Sequence, residues 1–282
     1  MRMGSFINTS SFMKSTESVT CSLVITTYNS PEVLDLVFRS ALAQSELPCE
    51  IIIADDGSTS DTKMVIDAHR RDATIPLVHV WQEDLGYRLA ASRNRAIAAA
   101  RGNYIVLVDG DILLHRDFIG DHRRLAIEGT FIQGSRVLLS QENTPQRLKT
   151  KNISFSLFGK GIKNRKNTLR LPLLSKLLSL KTCSHHGIRG CNMSFFRDDC
   201  IRVNGFNEDF VGWGREDSEF AVRLINSGIL RRNVRFSALA CHLGHRENPR
   251  RSLADNDRIL EQAIIGRLTK CRNGLDKYLE NK

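Results

Sequence analysis

The chain has 282 residues, 41% hydrophobic and 26% charged, a balance that excludes a disordered polymer and a multi-span membrane protein and allows a sizeable buried core. No uninterrupted apolar run approaches the ~20 residues needed to cross a bilayer, and the polar stretch Met1 to Ser22 has no secretory signal pattern, so a cytoplasmic protein is expected. The net charge of +10 is concentrated, because Asn143 to Thr182 contains no acidic residue but holds Arg147, Lys149, Lys151, Lys160, Lys163, Arg165, Lys166, Arg170, Lys176 and Lys181.

Residues 1–20 lack periodicity and read as a flexible leader. After them, Cys21 to Thr27, Glu50 to Ala54, Leu77 to Trp81 and Tyr104 to Val108 are short Ile/Val-rich runs, as expected of strands buried on both faces. Helical patterns lie between them at Pro31 to Gln44, Asp61 to Arg71 and Leu89 to Arg101, the first opened by Ser30 as N-cap and Pro31. This alternation predicts βαβ units and a mostly parallel, Rossmann-like α/β sheet flanked by helices. Further on, the pattern predicts a helix over 116–128, a strand over 131–139, a strand over 188–196, a helix over 216–227, a strand over 235–243 and a last helix over 253–268. The seven cysteines are scattered, with no CxxC pair, and read as reduced thiols, most of them buried.

In parallel α/β sheets, ligands bind beyond the carboxyl ends of the strands. Thr26 to Asn29, Asp55 to Ser58 and Asp109 to Asp111 follow three of the strands and are predicted to face one crevice. Two carboxylates in Asp109-Gly110-Asp111 suit Mg²⁺ or Mn²⁺, ions that complete their shell with substrate phosphate; as a bare tripeptide it is equally a turn. Arg88, Ser92 and Arg95 are spaced to share one helical stripe near a helix start, where guanidinium and free N–H groups can hold a diphosphate. Trp213, set between glycines, offers a flat wall for a sugar ring. Glu216 and Asp217 open a helix, and either simply complement its dipole or supply a base for a sugar hydroxyl. His242 and His245 are candidate metal ligands from a distant part of the chain; His185 and His186 receive no role.

On these residues the chain resembles the family 2 glycosyltransferases of the A-type fold. The resemblance runs from about Ser22 to Leu260, and the branch it resembles holds bacterial chondroitin-polymerase domains and lipopolysaccharide-core transferases. The motifs that carry it are VITTYN (Val24 to Asn29), ADDGS (Ala54 to Ser58), RLAASRNRAI, VDGD (Val108 to Asp111) and GFNEDFVGWGREDSEF (Gly205 to Phe220), the last similar to a galactosyltransferase-type C-terminal motif. The resemblance implies an inverting, metal-dependent transfer of a sugar from a UDP-sugar donor to a glycan or lipid-linked glycan acceptor, in lipopolysaccharide, capsule or related polysaccharide synthesis. It implies that Thr26, Tyr28 and Asp56 bind uridine, that Arg88 and Asn94 lie near the donor, that Asp109 contacts ribose or metal, and that Asp111 binds the Mn or Mg cation. His242 is similar to the distal histidine ligand of such enzymes, with His245 the alternative. Asp217 resembles the base and Glu216 the residue that orients the acceptor.

The expected organisation is a leader (1–20), a nucleotide-sugar-binding half (21–140), a basic insertion (141–184), an acceptor-binding and catalytic half (185–270) and a tail (271–282). The leucines after Pro172 alternate with cations, which predicts a short amphipathic helix that docks on an anionic inner-membrane surface, against the alternative of a solvated basic loop with its leucines tucked into the core. Two rival readings are a nucleotidyltransferase, which would carry a Gly-rich basic loop where TTYNSP stands, and a nucleic-acid-binding protein. No nucleic-acid partner is expected, because the basic segment lacks interleaved aromatics beyond Phe155 and Phe158.

Overall fold

The computed structural model describes residues 18–245 and 251–279. Residues 1–17 of the expected leader and 280–282 of the expected tail lie outside the described residues.

The chain alternates β1 (Cys21–Thr27), α1 (Pro31–Leu42), β2 (Glu50–Asp55), α2 (Ser60–Asp72), β3 (Leu77–Trp81), α3 (Leu89–Ala99) and β4 (Tyr104–Val108). These strands lie parallel in the order β3-β2-β1-β4. Every residue of β1, β2 and β4 is buried, because helices cover both faces of the sheet, which is why they are runs of Ile, Val and Leu rather than alternating sequences. Leu23 and Ile25 join Leu34 and Phe38 of α1 in one apolar cluster, whereas Val24 and Ile52 join Ala96 and Ile97 of α3 in the other. Pro31 opens α1 as expected, but the Ser30 hydroxyl makes no cap and donates instead to the Tyr28 carbonyl at 3.1 Å.

Next come β5 (Ile112–Leu114), α4 (Phe118–Leu125), β6 (Thr130–Gly134), β7 (Arg136–Leu139), α5 (Thr144–Thr150), β8 (Ile162–Lys163), α6 (Pro172–Leu178) and β9 (Lys181–Thr182). The chain ends with β10 (Asn192–Phe196), α7 (Arg197–Arg202), α8 (Glu216–Asn226), β11 (Leu230–Val234), β12 (Ala240–His242) and α9 (Leu253–Ile265). The main sheet continues β4-β10-β6-β11-β9, with β10 antiparallel to both of its neighbours. A second sheet runs β5-β12-β7-β8.

The single strand expected over 131–139 is two strands in two sheets. The break falls after Gly134, where an added Cβ would stand 2.2 Å from the Asn192 amide, and that amide donates to the Ser135 and Ala238 carbonyls. The strand expected over 235–243 shrinks to β12, and β11 precedes it. Arg231 and Arg232 hide β11 in the sequence. Both are buried, their guanidiniums donating to the His186 carbonyl at 2.9 Å and to the Leu125 carbonyl. Among the described residues no helix is long and apolar enough to cross a membrane. All seven cysteines are free thiols; Cys49 and Cys183 are exposed and the other five buried.

Candidate active site

Beyond the carboxyl ends of the parallel strands opens a crevice of about 900 Å³. β4 delivers Asp109-Gly110-Asp111 to its rim, and Gly110 packs so closely on β1 that an added Cβ would stand 2.1 Å from the Thr26 carbonyl oxygen. The chain then enters β5, which pairs antiparallel with β12 so that Ile112 lies opposite His242. That register sets Asp111 beside His242, and the Leu243 N–H donates to the Asp111 carbonyl at 2.9 Å. Asp111 Oδ2 is 3.3 Å from His242 Nε2 and 2.9 Å from His245 Nε2. One ligand atom from each of the three residues lies within 4.8 Å of the others. Asp111 Oδ1 is buried without a hydrogen-bond partner. Burial holds the His242 imidazole below its ordinary pKa despite the pull of Asp111, which favours the neutral ring with its lone pair available. A carboxylate and two imidazoles converging with a buried, unpartnered oxygen fit a divalent cation.

The opposite wall is the start of α8. Gly212 and Gly214 hold positive φ angles of 72° and 108°, which lets the chain turn sharply around Trp213 and bring it to the crevice. Asp217 is half-buried there. Its Oδ2 accepts the Gly190 N–H at 2.5 Å and its Oδ1 accepts the Ser218 N–H at 2.6 Å, so two backbone donors fix the carboxylate. Glu216 points inward, and burial pushes its carboxyl up, with Asp217 adding to the rise and Arg93 opposing it. Arg93 is fully buried and bridges the two walls, donating to Asp109 Oδ1 at 3.0 Å and to Glu216 Oε1 at 3.1 Å.

Thr26, Tyr28 and Asp56 line the same crevice. The Tyr28 hydroxyl donates to Asp84 Oδ2 at 3.0 Å, and Asp56 accepts the Arg88 backbone N–H at 2.8 Å and the Gln82 amide at 2.5 Å. Two expected donor-side residues are elsewhere. The Arg88 side chain turns away to the Glu83 carbonyl. Asn94 is buried behind the wall, where its amide group joins Phe206 and Glu208. Arg95, also expected on the diphosphate stripe, lies over the Tyr278 ring at 4.8 Å. The cations that reach the crevice are instead Arg93, Arg136 and Arg189, with Arg215 paired to Asp257 at its edge. Arg93 was one residue from the stripe read in the sequence. Its signal was a third arginine in a segment otherwise rich in alanine, since an arginine packed among alanines must find carboxylates.

A profile of the Glycosyl transferase family 2 matches residues 22–201, nearly two thirds of the chain, and one described as the N-terminal domain of galactosyltransferase matches residues 181–246. The chain belongs to glycosyltransferase family 2. Within the family, the chondroitin synthase of Escherichia coli is 27% identical over 78% of this chain and 34% of its own length. The validoxylamine A glucosyltransferase of Streptomyces hygroscopicus subsp. limoneus is 29% identical over 74% of this chain and 48% of its own. The chain thus spans between a third and a half of these relatives. Among solved structures, S. aureus TarS in complex with UDP aligns with a TM-score of 0.56 at 15% identity, covering 92% of this chain and 68% of that one. A mannosyltransferase from Pyrobaculum calidifontis, solved with GDP-Man and Mn2+, gives 0.54 at 18% identity, covering 90% and 73%. These structural likenesses establish the fold, that of the A-type glycosyltransferases. Family membership sets the nucleotidyltransferase reading aside.

Proposed function

We propose that this family 2 glycosyltransferase moves a sugar, with inversion, from a UDP-sugar to a hydroxyl of a glycan acceptor in surface polysaccharide or lipopolysaccharide synthesis. The observation that carries the reading is one crevice with Asp111, His242 and His245 on one wall and the backbone-held Asp217 on the other. Relatives named chondroitin synthase and validoxylamine A glucosyltransferase, and a structural neighbour holding UDP, support the sugar, the polymer and the nucleotide.

In this reading Thr26, Tyr28 and Asp56 receive the uridine, Asp109 faces the ribose or the cation, and Trp213 walls the sugar. Asp111, His242 and His245 hold the cation, and because two of the three ligands are imidazoles the site suits Mn²⁺ better than Mg²⁺, which prefers oxygen. A cation bound there would supply positive charge to offset that of the diphosphate. Arg136 lines the same wall and makes no ion pair among the described residues; one guanidinium nitrogen donates to Cys191 Sγ at 3.4 Å, and its remaining N–H groups can meet that diphosphate. Arg93 takes no such part, being committed to two carboxylates.

The acceptor oxygen attacks the anomeric carbon from the face opposite the diphosphate. The bond to the diphosphate breaks, and the hydroxyl proton passes to Asp217. The Gly190 and Ser218 N–H groups aim the Asp217 carboxylate throughout, and Glu216 orients the acceptor beside it. The 21–140 portion then serves the nucleotide and 185–270 the acceptor, while the basic insertion 141–184 adds β8 to the second sheet and β9 to the main one.

Asp217→Asn tests the reading, because general-base help is worth roughly 10² to 10⁴ in rate. Thermal stabilisation by UDP-sugars should persist in this variant and turnover should fall by about that factor. Collapse of donor binding with normal turnover at saturation would make Asp217 a binding residue instead. In the parent protein the stabilisation should require Mn²⁺ and vanish in Asp111→Ala. Full transfer in excess chelator would overturn the metal assignment.

A further inference from the structure

Helix α6 is built inside out. Ser175 and Ser179 face the protein at 0% and 5% exposure, whereas Leu173, Leu177 and Leu180 stand 84%, 72% and 69% exposed. Residues three and four apart share a helical face, so Leu173 and Leu177 form a row that Leu180 continues past the helix end. Leu171, Leu174 and Leu178 are exposed beside them, and Phe158 of the same segment is 88% exposed. The leucines are therefore not tucked into the core. A contiguous apolar surface on a folded protein marks a place where something binds.

Along the segment that carries α6 the charge has one sign. Lys160, Lys163, Arg165, Lys166, Lys176 and Lys181 are all exposed, and none makes an ion pair among the described residues. The segment's other cations are partly spent inside the fold: Lys151 pairs with Asp35 at 2.6 Å, and Arg170 with Asp121 at 2.7 Å and Asp117 at 3.3 Å. Leucines in a row with unneutralised cations on their flanks present apolar surface to acyl chains and charge to anionic headgroups at once. A second copy of the chain would set like charges against each other. A nucleic acid would leave the leucines uncovered.

We propose that α6 and its basic flanks seat the protein on the surface of an anionic lipid bilayer. From α6 the chain runs through β9 to Ile188–Cys191, which line the crevice. The docking itself is independent of the reaction assigned to that crevice.

Cosedimentation of the full chain with vesicles of phosphatidylcholine, with and without phosphatidylglycerol, tests the proposal. Binding is expected only with phosphatidylglycerol, and should fall as salt rises. Replacing Leu173, Leu177 and Leu180 together by Ser should weaken it at least about tenfold, and so should replacing Lys160, Lys163, Lys166 and Lys176 together by Gln. These side chains are exposed, so both variants should keep the parent melting temperature and its stabilisation by UDP-sugars. Binding that survives either variant unweakened, or that is equal on neutral vesicles, overturns the proposal. A dimer that dissociates in the Leu variant, without vesicle binding in the parent, assigns the surface to a second copy.

Discussion

Arg93 carries more of the site than any residue the motifs announce. It holds Asp109 and Glu216 at 3.0 and 3.1 Å and packs over the Phe206 ring at 5.1 Å, so one guanidinium offsets two acids from opposite walls. Breaking a buried pair by removing one partner costs about 3–5 kcal/mol, because the remaining charges lose their compensation. Arg93→Met should therefore lower stability by about that amount in urea unfolding. Arg93→Lys should recover little, since one ammonium cannot reproduce a planar fork reaching two carboxylates. Full recovery by lysine would mean that a single contact matters and that the bridge does not. The carboxylates themselves were legible in the sequence, because each stands where a buried run ends or a helix begins. Arg93 was legible only as one of three arginines in RLAASRNRAI. Most of α3 is buried, including Ala90, Ala91, Ser92, Asn94, Ala96, Ile97 and Ala98, so the helix has no apolar stripe to say which of its arginines faces the crevice.

At the scale of elements, α4 is locked to the sheet through a histidine rather than through apolar contacts alone. His122 is fully buried, with Nδ1 2.8 Å from Ser194 Oγ and Nε2 3.0 Å from Asn192 Oδ1, both on β10. The Ser194 hydroxyl also meets the Tyr104 hydroxyl of β4 at 2.8 Å, so one polar chain crosses helix and two strands. Burial pushes the imidazole down from 6.5 to about 4, so the folded protein holds it neutral. A depressed pKa contributes stability that is present above the unfolded value of about 6.5 and is lost as pH falls toward the folded value, about 3 kcal/mol in all. The unfolding free energy of the parent should thus drop more steeply than that of His122→Gln between about pH 7 and 4. Parallel curves for the two proteins would show that His122 does not titrate across this window. The four parallel strands were readable because continuous Ile/Val runs have few other uses. β11 was not, since Arg231 and Arg232 carry a strand whose guanidiniums donate to distant carbonyls, a pairing that no local pattern records.

At the scale of the whole molecule, the order of strands in space cuts across their order in sequence. β10, from the C-terminal portion, lies between β4 and β6 and hydrogen-bonds to both. The other neighbour of β6 is β11, also from the C-terminal portion. The second sheet repeats the pattern, with β12 inserted between β5 and β7. The same interleaving assembles the site, since His242 reaches Asp111 only through the β5–β12 register and Glu216 reaches Asp109 only through Arg93. A fragment of residues 21–140 keeps β1 to β7 but loses both partners of β6, the neighbour that covers the edge of β4, and the strand that joins β5 to β7. An uncovered edge on a buried, apolar sheet favours aggregation over folding. Such a fragment should show no cooperative thermal transition and no stabilisation by UDP, whereas the full chain should unfold in a single transition followed equally by circular dichroism and by tryptophan fluorescence. A fragment that melts cooperatively and binds UDP would mean that the parallel strands and their helices suffice for the nucleotide, with the C-terminal strands added only to build the acceptor wall.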